Sequence, residues 1–377
     1  EQAVECLGLP IQGTWLENPY RRLDVFEYSH RRIYFGRENE SAYLADKLLQ
    51  REESGRPGLL ILGPSGGGKS SLVRAGLIPE LEKKLKDRSL SLLFSVWDLR
   101  DAANKDVNAI AASIRSSWSL LPGLAALAVN SSSNQQAAIL SPQETLAALA
   151  GDLADHLPEQ TRFVWVLDQL EQFFTLNLSQ EADVALIQFL RELQGRGIWI
   201  VATSRNDFYS ALQAHDGILS LFDKDGIHDL EKLSETTIER IIQKPARLAK
   251  LEFEVDDQKS ERLSLKLKND ALGGGKDTLP LLEFALDQLY QKRKLKNGRT
   301  QLTWAAYEAM GGLQGAIGNR ADEVLRSLDA SAQEALGRVL RALAKPRRDS
   351  VQIESGKSPF VACVANLAYF SSDTPAR

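Results

Sequence analysis

A chain of 377 residues exceeds the usual size of one domain, so two or three structural units are expected, each burying its own core. With 43% apolar and 25% charged residues it has the make-up of a folded globular protein, which argues against disorder and against a long coiled coil. A net charge of −4 disfavours nonspecific nucleic-acid binding, and no apolar run approaches the roughly 20 residues of a membrane span. Cys6 and Cys363 stand at opposite ends without zinc-like or CxxC spacing, so no disulfide framework or metal site is indicated and a reducing cytoplasm is the expected home. The chain opens at Glu1 without a signal segment and closes on SSDTPAR, which reads as a fragment whose flanking domains lie elsewhere.

In chain order, Glu38 to Glu52 stacks Leu44 on Leu48 and Ala45 on Leu49, the stripe of an amphipathic helix that SGRPG then breaks. LLIL, Leu59 to Leu62, is a short apolar run between glycines, and helical spacing returns from Lys69 until Pro79 interrupts it. Further strands are expected in runs ending at Trp97, Leu167 and Ser204, with helices between them and an exposed loop from Asn130 to Gln143. This alternation predicts an α/β domain with a parallel sheet flanked by helices, ligands binding beyond the carboxyl ends of the strands. From about His228 to Ser327 the spacing is helical with no convincing strand. The expected layout is therefore a leading segment 1–30, a nucleotide-binding domain 31–227, a helical lid 228–327 and a partial winged-helix-like tail 328–377. No internal repeat of solenoid or propeller period is present.

GPSGGGKS fits GxxxxGK[ST] between a strand and a helix, where its chemistry requires it. Gly63, Pro64, Ser65, Gly66, Gly67 and Gly68 form a backbone cradle for phosphate oxygens, and the helix that follows adds its positive end. Lys69 is expected on the β- and γ-phosphates, Ser70 on Mg²⁺ and Ser71 on the α-phosphate. A plain Gly-rich turn is the alternative, disfavoured by the strand–helix context. Asp168, at the end of RFVWVLD, is the candidate magnesium carboxylate, or a helix N-cap. Glu171 is the candidate to activate water, or half of a capping box. Many P-loop ATPases place a glutamate directly after the magnesium aspartate. Gln169 stands there instead and cannot accept a proton, so hydrolysis is expected to be slow. Arg205, after the next strand, is a candidate γ-phosphate sensor or a solvated surface arginine. GGGK at Gly273 to Lys276 reads as a helix-ending loop, and KRKLKNGR, Lys292 to Arg299, as a solvated helix end.

NPYRRLDVF with YFGRENE, GPSGGGKSSLVRAGLIP, VWVLDQLEQFF, VATSRNDFY, IIQKPARLA and TLPLLEFALDQLY follow one another in an order and spacing that resembles the bacterial novel STAND ATPases, relatives of AAA+ and NLR-type switches, from Asn18 to about Arg348. The resemblance implies an adenine nucleotide, ATP or ADP, held with Mg²⁺ between the α/β domain and the lid, with Pro280 near the base and Arg37 at the same end. It further implies a switch in which ADP holds a closed form and ATP favours an open, self-associating one that activates an attached effector; several members act in antiphage defence or programmed death. Two departures stand out. Leu170 and Gln172 replace an aromatic and a glutamate of the family pattern, and the winged-helix pattern fades beyond Arg348. A remodelling AAA+-like ATPase and a nucleotide-stabilised scaffold that does not switch are the alternatives.

Overall fold

Successive residues of a strand point to opposite faces, so an unbroken apolar run is stable only where both faces are covered. Strand β1 (Gly58–Gly63) meets that condition, all six of its residues being buried. Leu59 and Ile61 enter one core together with Leu44, Ala45, Leu48 and Leu49 of helix α1 (Glu38–Glu53), while Leu60 and Leu62 enter the opposite core. Strands β2 (Ser91–Asp98), β3 (Thr161–Asp168), β4 (Trp199–Arg205) and β5 (Ile227–Asp229) complete a sheet of order β2-β3-β4-β1-β5 in which every pairing is parallel. Helices α3 (Val107–Ser119), α4 (Pro142–His156) and α5 (Gln180–Gly195) cover the face opposite α1. Trp97 and Trp165 stack there at 5.3 Å between ring centroids, with Trp118 edge-on to Trp165. The computed structural model describes residues 15–98, 106–127, 141–175, 179–256, 260–274, 278–296, 298–346 and 360–362.

The helix after the phosphate loop, α2, does not stop at Pro79. It runs through Lys69–Ser71, a π-helical turn Leu72–Leu77 and Ile78–Lys86, with Pro79 in the first turn of the last piece. The widened π turn shifts the hydrogen-bond frame just before the proline, so the amide proton that proline lacks is not needed.

The stretch from His228 onward also contains strands that its spacing does not announce. His228 itself lies in β5, whose three residues pair with Leu60–Leu62 of β1. Beyond it, α6 (Glu235–Leu248), α7 (Leu263–Gly273) and α8 (Thr278–Gln291) are accompanied by short pairs. Strand β6 (Leu251–Phe253) joins β9 (Lys294–Lys296) and β10 (Arg299–Leu302) in a three-stranded sheet, and β7 (Val255–Asp256) pairs with β8 (Glu261–Arg262). Strands of two to four residues are too short to show alternation. The cationic stretch from Lys292 is therefore not a helix end: α8 stops at Gln291, and the exposed β9 turns back into β10 through Gly298, at φ 75°. The Asn-Gly pair in the sequence is the hairpin signal that charge obscured.

Gly273 ends α7 and Gly274 caps it, as expected of a helix-ending loop. Of the stretch expected as a loop from Asn130, residues 130–140 lie outside the described residues. From Ser141 it is helical: Ser141 caps α4 and shares a capping box with Glu144. Both cysteines also lie outside the described residues.

The chain divides into two compact units, Glu1–Tyr307 and Glu308–Arg377. The second consists of α9 (Gly312–Ser327), α10 (Ala330–Leu343) and the antiparallel pair β11 (Ala344–Pro346) and β12 (Phe360–Ala362). Asp329 caps α10 by accepting the Ala332 N–H at 2.8 Å. Most of the tail proposed as a divergent winged helix lies outside the described residues.

Candidate nucleotide site

Strand β4 lies between β1 and β3, so the carboxyl ends of all three strands open on one place. There the loop after β1 faces Arg205, which is in register with Gly63, and the segment from Asp168 to Glu171 that leaves β3. Gly66 at φ 68° and Gly68 at φ 87° hold left-handed conformations that a side chain would strain, so the repeated glycines are what lets the backbone curl. The Lys69 ammonium folds back on this curl, donating to the carbonyls of Gly63 at 3.1 Å and Pro64 at 2.8 Å. Burial pulls its pKa below the usual lysine value and Arg205 adds to that pull, while Glu171, Asp168 and Asp207 oppose it.

Asp168 is the hub of the site and is 3% exposed. Its Oδ1 accepts from the Ser70 hydroxyl and the Thr203 hydroxyl, each at 2.7 Å. Its Oδ2 accepts from Arg74 at 2.6 Å, and the other end of that guanidinium reaches Glu27, also at 2.6 Å. Gln169, at φ 59°, gives its backbone N–H to Thr203 Oγ1 at 3.0 Å, and Glu171 accepts the Arg205 backbone N–H at 3.3 Å. The hydrogen bonds of both carboxylates thus run to neighbouring strands and to α2, a pattern different from local helix capping. The Arg205 guanidinium makes a fork with Asp207, at 3.0 and 2.6 Å, and lies over the Phe208 ring.

Because Ser70 spends its proton on Asp168, its oxygen lone pairs remain available to a hard cation. Among the described residues no group of three or more His, Cys, Asp or Glu side chains could hold a metal. A magnesium ion bound with a nucleotide needs none, since waters and phosphate oxygens fill most of its octahedron. The pair Ser70 and Asp168 fits that requirement.

A cavity of about 340 Å³ extends from the loop, lined by Ser65 through Ser71, Gln169, Glu171, Thr203 and Arg205 at one end. Its other walls are Arg22–Phe26, Ile33–Phe35, Ile241 and Pro245, with Arg37, Leu279, Pro280 and Glu283. Residues 18–26 form a strap. Asn18 donates to Asp287 at 2.7 Å, the Tyr20 hydroxyl to the Ile242 carbonyl at 2.9 Å, the Arg21 N–H to Glu283 at 3.3 Å and the Phe26 N–H to Ser71 Oγ at 3.1 Å. Ser71 therefore accepts from the strap and keeps its own proton for a ligand. Pro280 rests on the loop itself: a Cβ built on Gly66 would stand 2.6 Å from Pro280 Cγ. Arg37, buried, is ion-paired with Glu40 and donates to the carbonyls of Glu231 at 3.2 Å and Gly67 at 3.3 Å. Burial alone would raise the Glu40 pKa, but His228, the Glu231 N–H and Arg37 hold it below the usual carboxylate value.

A sequence model of one family, described as Novel STAND NTPase 1, matches residues 19–359. The chain belongs to this family. It is a nucleotide-binding P-loop ATPase, built on the sheet and helices described above. Among solved structures it is similar to the Aeropyrum pernix ORC1 protein in complex with DNA, at 16% identity and a TM-score of 0.51, over 86% of this chain and 77% of that one. It also matches the Aeropyrum pernix ORC2 protein in ADPNP-ADP complexes, at 16% identity and 0.47 over 80% and 75%, and Cdc6p from Pyrobaculum aerophilum, at 18% and 0.46 over 81% and 74%. At this identity the ORC1 likeness speaks for the fold alone. No curated protein sequence matches it significantly. Among the described residues no helix is long and apolar enough to cross a membrane.

Every candidate residue except Gly63, Pro64 and Asp168 lies on the wall of this cavity; Gly63 and Pro64 reach it through the Lys69 ammonium, and Asp168 through Ser70 and Thr203. Sequence reasoning missed Arg74, Thr203, Glu27 and Glu283. Arg74 was within reach: it follows Ser70 by four residues on a helix, hence on the same face. The other three depend on contacts 34 to 262 residues apart that no local pattern announces.

Proposed function

We propose that the chain is the ATP-binding, slowly hydrolysing core of a signalling switch, in which the nucleotide bound in the cavity sets the position of the lid. The observation that carries this is Pro280 of α8 seated on Gly66. Leu279 and Pro280 line the same cavity as the glycine cradle, so a nucleotide that fills it meets the lid helix as well. A phosphate there is felt directly by an element outside the α/β sheet.

In this reading the loop amides bind the phosphates, Lys69 leaves the Gly63 and Pro64 carbonyls for the β- and γ-phosphates, and Ser70 with Asp168 holds Mg²⁺, which neutralises phosphate charge. Thr203 and Arg74 keep the Asp168 carboxylate turned toward Ser70. Glu171 takes the proton of a water that attacks the γ-phosphorus as the bond to ADP breaks. Its neighbour Gln169 can only orient that water, so turnover falls below the ~1 to 100 s⁻¹ of dedicated phosphotransfer enzymes. Arg205 exchanges Asp207 for the γ-phosphate. Arg37 and Pro280 fix the loop and the lid on the nucleotide, Ser71 meets the α-phosphate, and ADP favours the closed arrangement while ATP opens it toward self-association.

An effector outside these residues, of the kind that serves antiphage defence in family members, is the element to be activated. The layout read from sequence, a leading segment 1–30, nucleotide domain 31–227, lid 228–327 and winged-helix-like tail 328–377, stays a proposal, with two amendments: β5 carries the sheet on to Asp229, and the compact units divide after Tyr307. Light scattering of the chain saturated with ADP or with a non-hydrolysable ATP analogue tests the switch. The expected result is a mostly monomeric ADP form and modest association with the analogue. Coincident size distributions at full occupancy in both states would favour a scaffold that binds nucleotide without switching.

A further inference from the structure

Two acidic residues that line the cavity take no part in the phosphate chemistry, Asp24 of the strap and Glu283 of α8. Glu283 follows Pro280 by one turn of α8, lines the cavity and is 8% exposed. Pro280 rests on Gly66, whereas Glu283 is bonded to the strap, so it stands on the wall that lid and strap share rather than on the glycine cradle, and we assign that wall to the nucleoside. Its Oε2 accepts the Arg21 N–H at 3.3 Å. The charged and titratable groups that face it are Asp287 one turn further on, Arg21 and Tyr20 of the strap, and Tyr34 on another wall. Asp287 already holds Arg22 at 3.2 Å and Asn18 at 2.7 Å, which leaves Arg21 as the cation that faces Glu283.

The protonation state of such a group decides what it can recognise. A neutral carboxyl presents a donor and an acceptor side by side, whereas an ionised one only accepts. The neutral acid therefore matches the edge of adenine, where a ring-nitrogen acceptor stands next to the amino donor. The ionised form matches guanine, which presents two adjacent donors. We propose that Glu283, the buried carboxyl on this wall of the cavity, is the specificity residue of the site, pairing with the edge of adenine and rejecting guanine. The inference deepens the ATP reading and rests on it. Burial pushes the Glu283 carboxyl up to about 8; the Arg21 N–H and the Arg21 charge work against that rise and Asp287 adds to it. A group raised in this way is neutral below about pH 8 and loses its proton as pH rises through that value, so the preference for ATP is present at neutral pH and fades above it.

The test is calorimetric titration of Mg-ATP, Mg-GTP and Mg-2′-deoxy-ATP into the wild-type chain, Glu283→Gln and Glu283→Leu, from about pH 6 to about pH 9. Wild type is expected to bind ATP at least about tenfold more tightly than GTP at pH 7, with the ratio falling above pH 8. Glu283→Gln, whose amide also carries a donor beside an acceptor, should keep the preference and lose its pH dependence. Glu283→Leu should weaken ATP about tenfold and treat the two purines alike. The proposal is overturned if Glu283→Leu keeps the wild-type ratio. It is equally overturned if Glu283→Leu no longer distinguishes ATP from 2′-deoxy-ATP while wild type does, because the carboxyl then serves the ribose. A wild-type chain that binds neither purine nucleotide refutes the ATP reading itself, an outcome distinct from both.

Discussion

The two ends of the cavity are built in opposite ways. At the phosphate end, three adjacent strands deliver a glycine curl, a buried aspartate and a threonine, and the aspartate bonds both that threonine and Ser70, just after the curl, at 2.7 Å. At the nucleoside end, the walls come from a strap and from lid helices far away in sequence, joined by bonds such as Tyr20 to Ile242 and Asn18 to Asp287 that span 222 and 269 residues. One end is fixed by a sheet whose strands are buried on both faces. The other is closed by a handful of hydrogen bonds and by Pro280 leaning on Gly66. A site made this way can keep its chemistry constant while its cover moves, which is what a switch requires.

The sharpest way to break the comparison is to attack the phosphate end alone. Glu171→Gln keeps an acceptor for the Arg205 N–H but removes the proton acceptor, so turnover should fall by about 100-fold or more with ATP affinity little changed. Steady-state phosphate release and calorimetry read the two quantities separately, and undiminished turnover removes Glu171 from catalysis. Lys69→Ala deletes the charge facing the phosphates and leaves the backbone cradle, so ATP affinity should drop by about 10- to 100-fold in a chain that still folds. Unchanged affinity would mean that the loop is a mere turn.

The contact between the two ends can be tested with a pair of glycines. Gly66 and Gly55 both hold left-handed angles, at φ 68° and 71°, but a Cβ on Gly66 meets Pro280 whereas one on Gly55 meets nothing within 4 Å. Each alanine substitution should cost about 1–2 kcal/mol of stability for the backbone angle. Only Gly66→Ala should also weaken nucleotide binding and loosen the lid, as seen by denaturant melts with and without nucleotide. Equal behaviour of the two variants would separate lid from loop. A smaller effect is expected at Arg205: Arg205→Ala should weaken ATP several-fold more than ADP, because Asp207 competes for the guanidinium. Matching losses for both nucleotides would make it a surface residue.

Much of the phosphate end was legible in the sequence because it is local. GPSGGGKS carries its own geometry, and apolar runs ending at Leu62, Leu167 and Ser204 mark strands that the structure ends within one residue of those positions. Helix α2 was read short at Pro79 because a π turn has no sequence signature comparable to that of the proline. The strands after His228 were missed because two to four residues cannot display a period. The family resemblance pointed to Pro280 and Arg37 as residues near the base, whereas their contacts here are with Gly66 and Gly67 of the phosphate loop, so the nucleoside end was not legible in the sequence. The strap, Glu283 and the Arg74–Asp168 pair emerge from contacts that only the folded chain creates.

The central claim, that the nucleotide is read by the lid through the loop, is tested most directly by hydrogen exchange over residues 18–26 and 278–291, with the chain saturated by ADP or by a non-hydrolysable ATP analogue. The strap and α8 should exchange faster with the analogue than with ADP, while β1, β3 and β4 stay equally protected in both. Identical exchange across strap and lid in the two fully occupied states would contradict the claim.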